Sequence, residues 1–214
     1  MLTVDFNSYL QTVPDRLGWS LDISDIFSVS STRSFLDNGL ITSTDMTTRW
    51  NNWVPIKLNI LTWRVKLQSI PTRERLSSRG ILVETIMCPI CSCSVETIHH
   101  LFAGCSDLMD IWTRIAIWWG LNLPNPITIH SLLSWSDIVT LRASQRKIFD
   151  EVVITTFWCI WNFRNAIIFG TVIPKKALLF DDIVHKAFFW ISNRCKKAKL
   201  GWSTWLHNPS FITM

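Results

Sequence analysis

The chain has 214 residues, 48% of them hydrophobic, with 13 Trp and 12 Phe but one Tyr. So much apolar surface excludes a disordered chain and is enough to fill one core or two small ones. The net charge of +5 and the pI of about 9.0 suit contact with phosphates without requiring it.

The opening, MLTVDFNSYL, has no basic segment followed by an apolar one, so no secretory leader is expected. A nuclear or cytoplasmic protein follows, in which thiols stay reduced. Residues 1–45 are loosely patterned. Ser30, Ser31 and Thr32 predict the start of a short helix that includes Phe35 and Leu36, and Asn38-Gly39 reads as its end. Within Lys57 to Ser69, Leu58, Leu61 and Val65 stand near helical spacing beside Trp63, and Pro71 stops the segment. Thr72 reads as the N-cap of a second short helix, with Gly80 as its stop. The two form an αα-hairpin.

After a cysteine-rich stretch, Leu108, Ile111, Trp112, Ile115 and Trp119 mark an amphipathic helix. Leu123-Pro-Asn-Pro126 is a loop and the expected domain boundary. Gln145 to Phe169 predicts a long helix, apolar nearly all round, that needs cover on more than one side. Its most apolar stretch, Val152 to Ile160, is soon followed by Arg164 and is too short to cross a bilayer, so no membrane partner is expected. A last helix runs from Asp181 or Asp182 to Lys199, with acids at its start and Lys196, Lys197 and Lys199 at its end, as the helix dipole favours. Those lysines, followed by Trp202 and Trp205, also interleave charge with aromatics; the simpler reading is a Trp-anchored tail.

The chemistry lies in CPICSCSVETIHHLFAGC, which holds four of the 6 cysteines. Clustered thiols in a reducing compartment point to metal before disulfides. Cys88 and Cys91 have the spacing of a metal-binding knuckle, and His100 and Cys105 stand four residues apart in a C-x2-C-x8-H-x4-C pattern. This is a Cys3His set for tetrahedral Zn2+. Four protein ligands leave no position for water, so the site builds structure instead of hydrolysing a substrate. Two spare donors leave the assignment open: Cys93 in place of Cys91, and His99 in place of His100. No Ser/His/Asp set or Gly-rich phosphate loop stands out among only 7 Gly. Asp181-Asp182 lacks the supporting carboxylate of a polymerase pair and reads as helix capping. Arg73, Arg75 and Arg79, beside the cysteine cluster, are candidate phosphate contacts, with a solvated helix face as the alternative.

With these residues placed, the chain resembles the zinc-binding domain that follows the reverse transcriptase in plant LINE-type (non-LTR) retrotransposons. The likeness runs over about residues 19–119. It is carried by Phe27-Ser28-Val29, by Trp53-Val-Pro-Ile-Lys57 with Trp63-Arg64, and by Pro71-Thr72 with Leu76 and Arg79-Gly80. Its centre is Cys88-Pro-Ile-Cys91, Glu96-Thr97, His100-Leu-Phe102, Cys105 and Trp112. Farther on, Trp158-Cys-Ile-Trp161, Arg164-Asn165 and Phe169 resemble the helix that follows in such elements. The likeness implies a domain that helps position RNA or target DNA during reverse transcription. No polymerase aromatic-x-Asp-Asp motif accompanies it here.

The expected protein is therefore mainly α, with helical hairpins, a small Cys3His zinc-binding loop and a second helical segment at the C-terminus. Residues 19–122 form the zinc-binding domain and residues 123–214 a helical region. The expected function is nucleic-acid binding without catalysis. The alternative is a relict or protein-interaction module.

Overall fold

In a computed structural model, the structure describes residues 19–20, 26–40, 49–195 and 201–211. Its regular structure among these residues is helical apart from one isolated antiparallel bridge, Met87 to Val95. The chain divides into two compact units, residues 1–48 and 49–214.

The first unit contains α1 (Val29–Leu40). Ser28 caps it, accepting from the Ser31 backbone N–H at 3.0 Å. The helix continues through Asn38-Gly39, where a stop was expected.

The second unit opens with α2 (Ile56–Lys66) and α3 (Arg73–Ser78), the two helices expected there, but α2 packs on the long central helix instead of pairing with α3 as a hairpin. Leu58, Leu61 and Val65 are buried. The opposite face carries Ile56, Ile60, Trp63 and Leu67, all exposed. Their spacing of four, three and four residues makes a second apolar stripe. Gly80 follows α3 at φ +77°, a left-handed turn that suits glycine. The loop before α2 is pinned by a buried amide pair. The Asn51 N–H donates to the Asn59 side chain at 3.0 Å, and the Asn59 amide returns a bond to the Asn51 carbonyl at 2.9 Å.

Next come α4 (Ser106–Trp119), α5 (Ile129–Leu133) and α6 (Trp135–Ile138). Gly120 ends α4 in the left-handed conformation, with Leu121 N–H closing back on Ala116. The short α5 is set by a local device: Thr128 accepts from the Ser131 backbone, and the Ser131 hydroxyl accepts from the Thr128 backbone.

The centre of the unit is α7 (Ala143–Phe169). Glu151 to Phe157 are buried at seven consecutive positions, more than any one helix face can hold. Cover therefore comes from all sides, chiefly from α2 and α8 (Leu179–Arg194). At 27 residues α7 is longer than the apolar stretch read from the sequence, and by length and composition it could cross a membrane. In this fold it is the axle of the core.

The last long helix, α8, begins two residues before Asp181, with Leu178 at the cap position, and ends at Arg194. Asp181 and Asp182 sit in its first turn, where they complement the dipole without capping it. Lys196, Lys197 and Lys199 lie outside the described residues. Then α9 (Trp202–His207) buries Trp205, whose indole N–H donates to the Val184 carbonyl at 3.0 Å. This is the Trp anchor expected of the tail.

One apolar cluster runs from Leu61 to Trp205, so the core crosses the boundary expected between residues 122 and 123. The reason is aromatic packing. Trp112 meets Trp135 and Phe157 with ring centroids at 6.4 and 5.6 Å, and Trp119 meets Phe149 at 5.0 Å.

Within this core lies Glu151, fully buried, its carboxyl accepting from Thr155 Oγ1 at 3.1 Å. Burial raises its pKa well above the usual carboxylate range. The folded state thus binds a proton that the unfolded chain releases near pH 4.3. Stability from this group is complete below that value and falls as pH rises toward the folded pKa. Glu151→Gln should match wild type in thermal melting near pH 4 and melt higher at pH 8, the gap widening with pH.

Candidate metal centre

The cysteine loop is a short hairpin. Glu96 N–H donates to the Ile86 carbonyl at 2.8 Å and Cys88 N–H to the Ser94 carbonyl at 2.7 Å. Its tip turns at Ser92, which adopts φ +56° while its N–H bonds the Cys88 carbonyl at 2.9 Å. This tight turn brings Cys91 back toward Cys88, and the backbone N–H groups of Ile90 and Cys91 face the Cys88 sulfur. Beyond the hairpin, the Thr97 hydroxyl accepts from the His100 N–H at 2.9 Å. A single wide turn of π type, His100–Gly104, follows and delivers Cys105 to the start of α4.

These local features bring the donor atoms of Cys88, Cys91, His100 and Cys105 together, all within 4.8 Å of one another. Cys91 Sγ and His100 Nε2 stand 3.3 Å apart. Ligands of a tetrahedral zinc are separated by roughly 3.5–3.8 Å, given Zn–S near 2.3 Å and Zn–N near 2.0 Å. A contraction of about 1 Å in the widest pair suffices, so the donor set and its geometry fit Zn2+. Cys88 and Cys105 are buried, whereas Cys91 and His100 are half-buried. The spare donors lie elsewhere. Cys93 is exposed with its sulfur 2.9 Å from the Cys91 carbonyl, and His99 is exposed.

The electrostatics are those of crowded sulfurs. A hydrogen bond from Cys105, aided by the backbone N–H groups, pulls the Cys88 pKa down to about 5. The same bond, together with burial, pushes Cys105 up. Two buried sulfurs this close resist ionising together. Zn2+ would allow both to ionise and would supply the positive centre that four converging donors require.

The loop is anchored by a carboxylate that sequence reading noted only as part of a resemblance. Glu96 is fully buried. Its Oε1 accepts from Arg164 Nε at 2.7 Å and its Oε2 from Arg164 Nη2 at 2.8 Å, a two-pronged ion pair. Oε2 also accepts from the Arg73 backbone N–H at 2.7 Å. Glu96 thus caps α3, whereas Thr72, at the expected capping position, makes no side-chain cap bond. A carboxylate stabilises a helix N-terminus more strongly than a neutral hydroxyl because it also meets the dipole.

The three candidate phosphate contacts are not equivalent. Arg73 donates through Nη1 to the Met87 carbonyl at 2.8 Å, next to Cys88, and so braces the hairpin. Arg75 is half-buried and Arg79 is exposed.

Residues 27–112 match the family described as zinc-binding in reverse transcriptase. The chain is also similar to a putative ribonuclease H protein of Arabidopsis thaliana, 25% identical over 162 residues. That alignment covers 73% of this chain and 26% of the relative, so the chain spans about a quarter of the relative's length. No solved structure matches.

Two outcomes check the centre. Native mass spectrometry should find one zinc per chain, lost in Cys88→Ser and His100→Ala and retained in Cys93→Ser and His99→Ala. Arg164→Met should cost about 3–5 kcal/mol in denaturant unfolding, because it strands a buried carboxylate. The double variant with Glu96→Gln should recover part of that loss.

Proposed function

We propose, from residues 27–112 as a reverse-transcriptase zinc-binding domain of plant retrotransposon type, that this chain is a zinc-stabilised module that binds RNA or DNA. Cys88, Cys91, His100 and Cys105 hold the ion. With four protein ligands the shell is closed, so the metal has no open position for an activated water and the module binds without catalysing.

One observation carries the nucleic-acid reading. The Glu96 carboxylate fixes the start of α3 against the zinc hairpin; α3 carries Arg73 and Arg75 against a single acid, Glu74, and Arg79 follows at its C-cap. Arg79 and Arg75 serve as phosphate contacts on a rigid support. Arg73 contributes charge while bracing the hairpin. The net charge of +5 favours approach to a polyanion.

A second reading, a protein-interaction module, is favoured by the exposed stripe Ile56, Ile60, Trp63 and Leu67 on α2. Patches of this kind mark surfaces that bind other proteins.

Titration with fluorescent RNA and DNA at two salt concentrations separates the readings. Affinity should fall steeply with salt, and Arg75→Ala and Arg79→Ala should each lower the logarithmic slope by about 1. Absence of binding at low salt would reject the nucleic-acid reading.

A further inference from the structure

Far along the chain from the metal centre, α4, α8 and α9 converge on a cleft of about 250 Å³. Its walls are aromatic: Trp118 from α4, Phe180 from α8 and Trp202 from α9, with Asp181 and His185 also lining it. The volume lies below the roughly 300–1,000 Å³ of pockets for whole small-molecule ligands, which suits one flat group.

The walls are held in place. The Trp118 indole N–H donates to the Trp205 carbonyl at 2.9 Å, and its ring stands edge-on to Phe180 at 5.9 Å and to Trp205 at 4.9 Å. Trp202 is different. It is 36% exposed, and the His185 imidazole lies over it at 4.7 Å with the planes 30° apart. The imidazole covers one face of the indole and Phe188 meets it edge-on at 4.8 Å, so an incoming ring takes the position that His185 now holds.

Charge at the rim selects among ligands. The Arg114 guanidinium lies 4.0 Å from the Phe180 centroid and 3.9 Å from the Asp181 carboxylate. The cation position on Phe180 is therefore filled by the protein itself, which disfavours an alkylammonium ligand. A neutral flat ring with a polar edge avoids the Arg114 charge and competes only with the His185 ring for the face of Trp202. It can stack on aromatic wall, turn its N–H groups to Asp181, and leave an attached phosphate near Arg114.

We infer that this cleft receives one unpaired base of a single-stranded nucleic acid. The inference rests on the nucleic-acid reading above and adds to it a preference for single strands over duplex. Bases stack on aromatic side chains with little regard to sequence, so the site would sense strandedness more than identity.

The test uses the full zinc-loaded chain with ten-residue oligouridylate, ten-residue oligothymidylate and a ten-base-pair RNA duplex. Trp202→Ala should weaken single-strand binding about 5- to 150-fold, the range for losing one base–aromatic stack. It should leave duplex binding unchanged, and Trp202→Phe should retain most of the affinity. As a readout that needs no variant, 4-thiouridine placed in the oligouridylate should photocross-link to the peptide that contains Trp202. Wild-type single-strand affinity in Trp202→Ala, with cross-links confined to α3, would overturn the cleft while leaving the nucleic-acid reading intact. Binding to neither strand form by wild type would overturn both. Quenching of tryptophan fluorescence by tetramethylammonium but not by uridine monophosphate would assign the cleft to cations and overturn the proposal.

Discussion

The Glu96–Arg164 pair is the constraint on which the rest of the second unit depends. It joins positions 68 residues apart, both almost wholly removed from water. The carboxylate belongs to the zinc hairpin and caps α3; the guanidinium belongs to α7, the axle of the core. Arg164 also lies 4.9 Å from the Trp161 ring and 3.5 Å from the Pro71 carbonyl. One side chain thereby ties the α2–α3 link, the hairpin and the central helix together.

Such a pair adds little to net stability, because removing two charges from water costs nearly what their attraction returns. Its effect is geometric. A two-pronged contact tolerates neither sliding nor rotation, so the hairpin meets α7 in one orientation. The four donors inherit from that contact a fixed place relative to α3.

Much of this was legible in the sequence because it is local. The spacing of Cys88, Cys91, His100 and Cys105 sufficed to nominate the donors, since a knuckle turn and one further turn lie within a short segment. The periodicity of α2 and α4 and the long, nearly all-round apolar run of α7 were equally plain. What the sequence concealed is long-range. Glu96 and Arg164 each stood in a recognisable motif, Glu96-Thr97 and Arg164-Asn165, but nothing in either segment announces its partner. The one charged residue in the last 18 positions of α7, Arg164, was the available signal, because a buried charge demands a counter-charge. The short helices α5 and α6 escaped for another reason. They are set by the Thr128–Ser131 reciprocal bonds and by the burial of Trp135, and neither produces a periodic pattern. The cap of α3 was assigned to Thr72 because local chemistry favours it, and a carboxylate from another segment took the role.

The aromatic packing around Trp112 bears on how such a segment travels between genes. The stretch that matches a described family ends at residue 112, yet Trp135 and Phe157, which close over that indole, lie downstream. The heritable motif and the cooperative folding unit have different borders. A recombination event that copied the cysteine segment alone would deliver a metal-binding peptide with its largest apolar side chain uncovered. A copy that keeps a compact protein must carry the helices beyond the motif, so the four candidate ligands depend for their cover on sequence that supplies none of them.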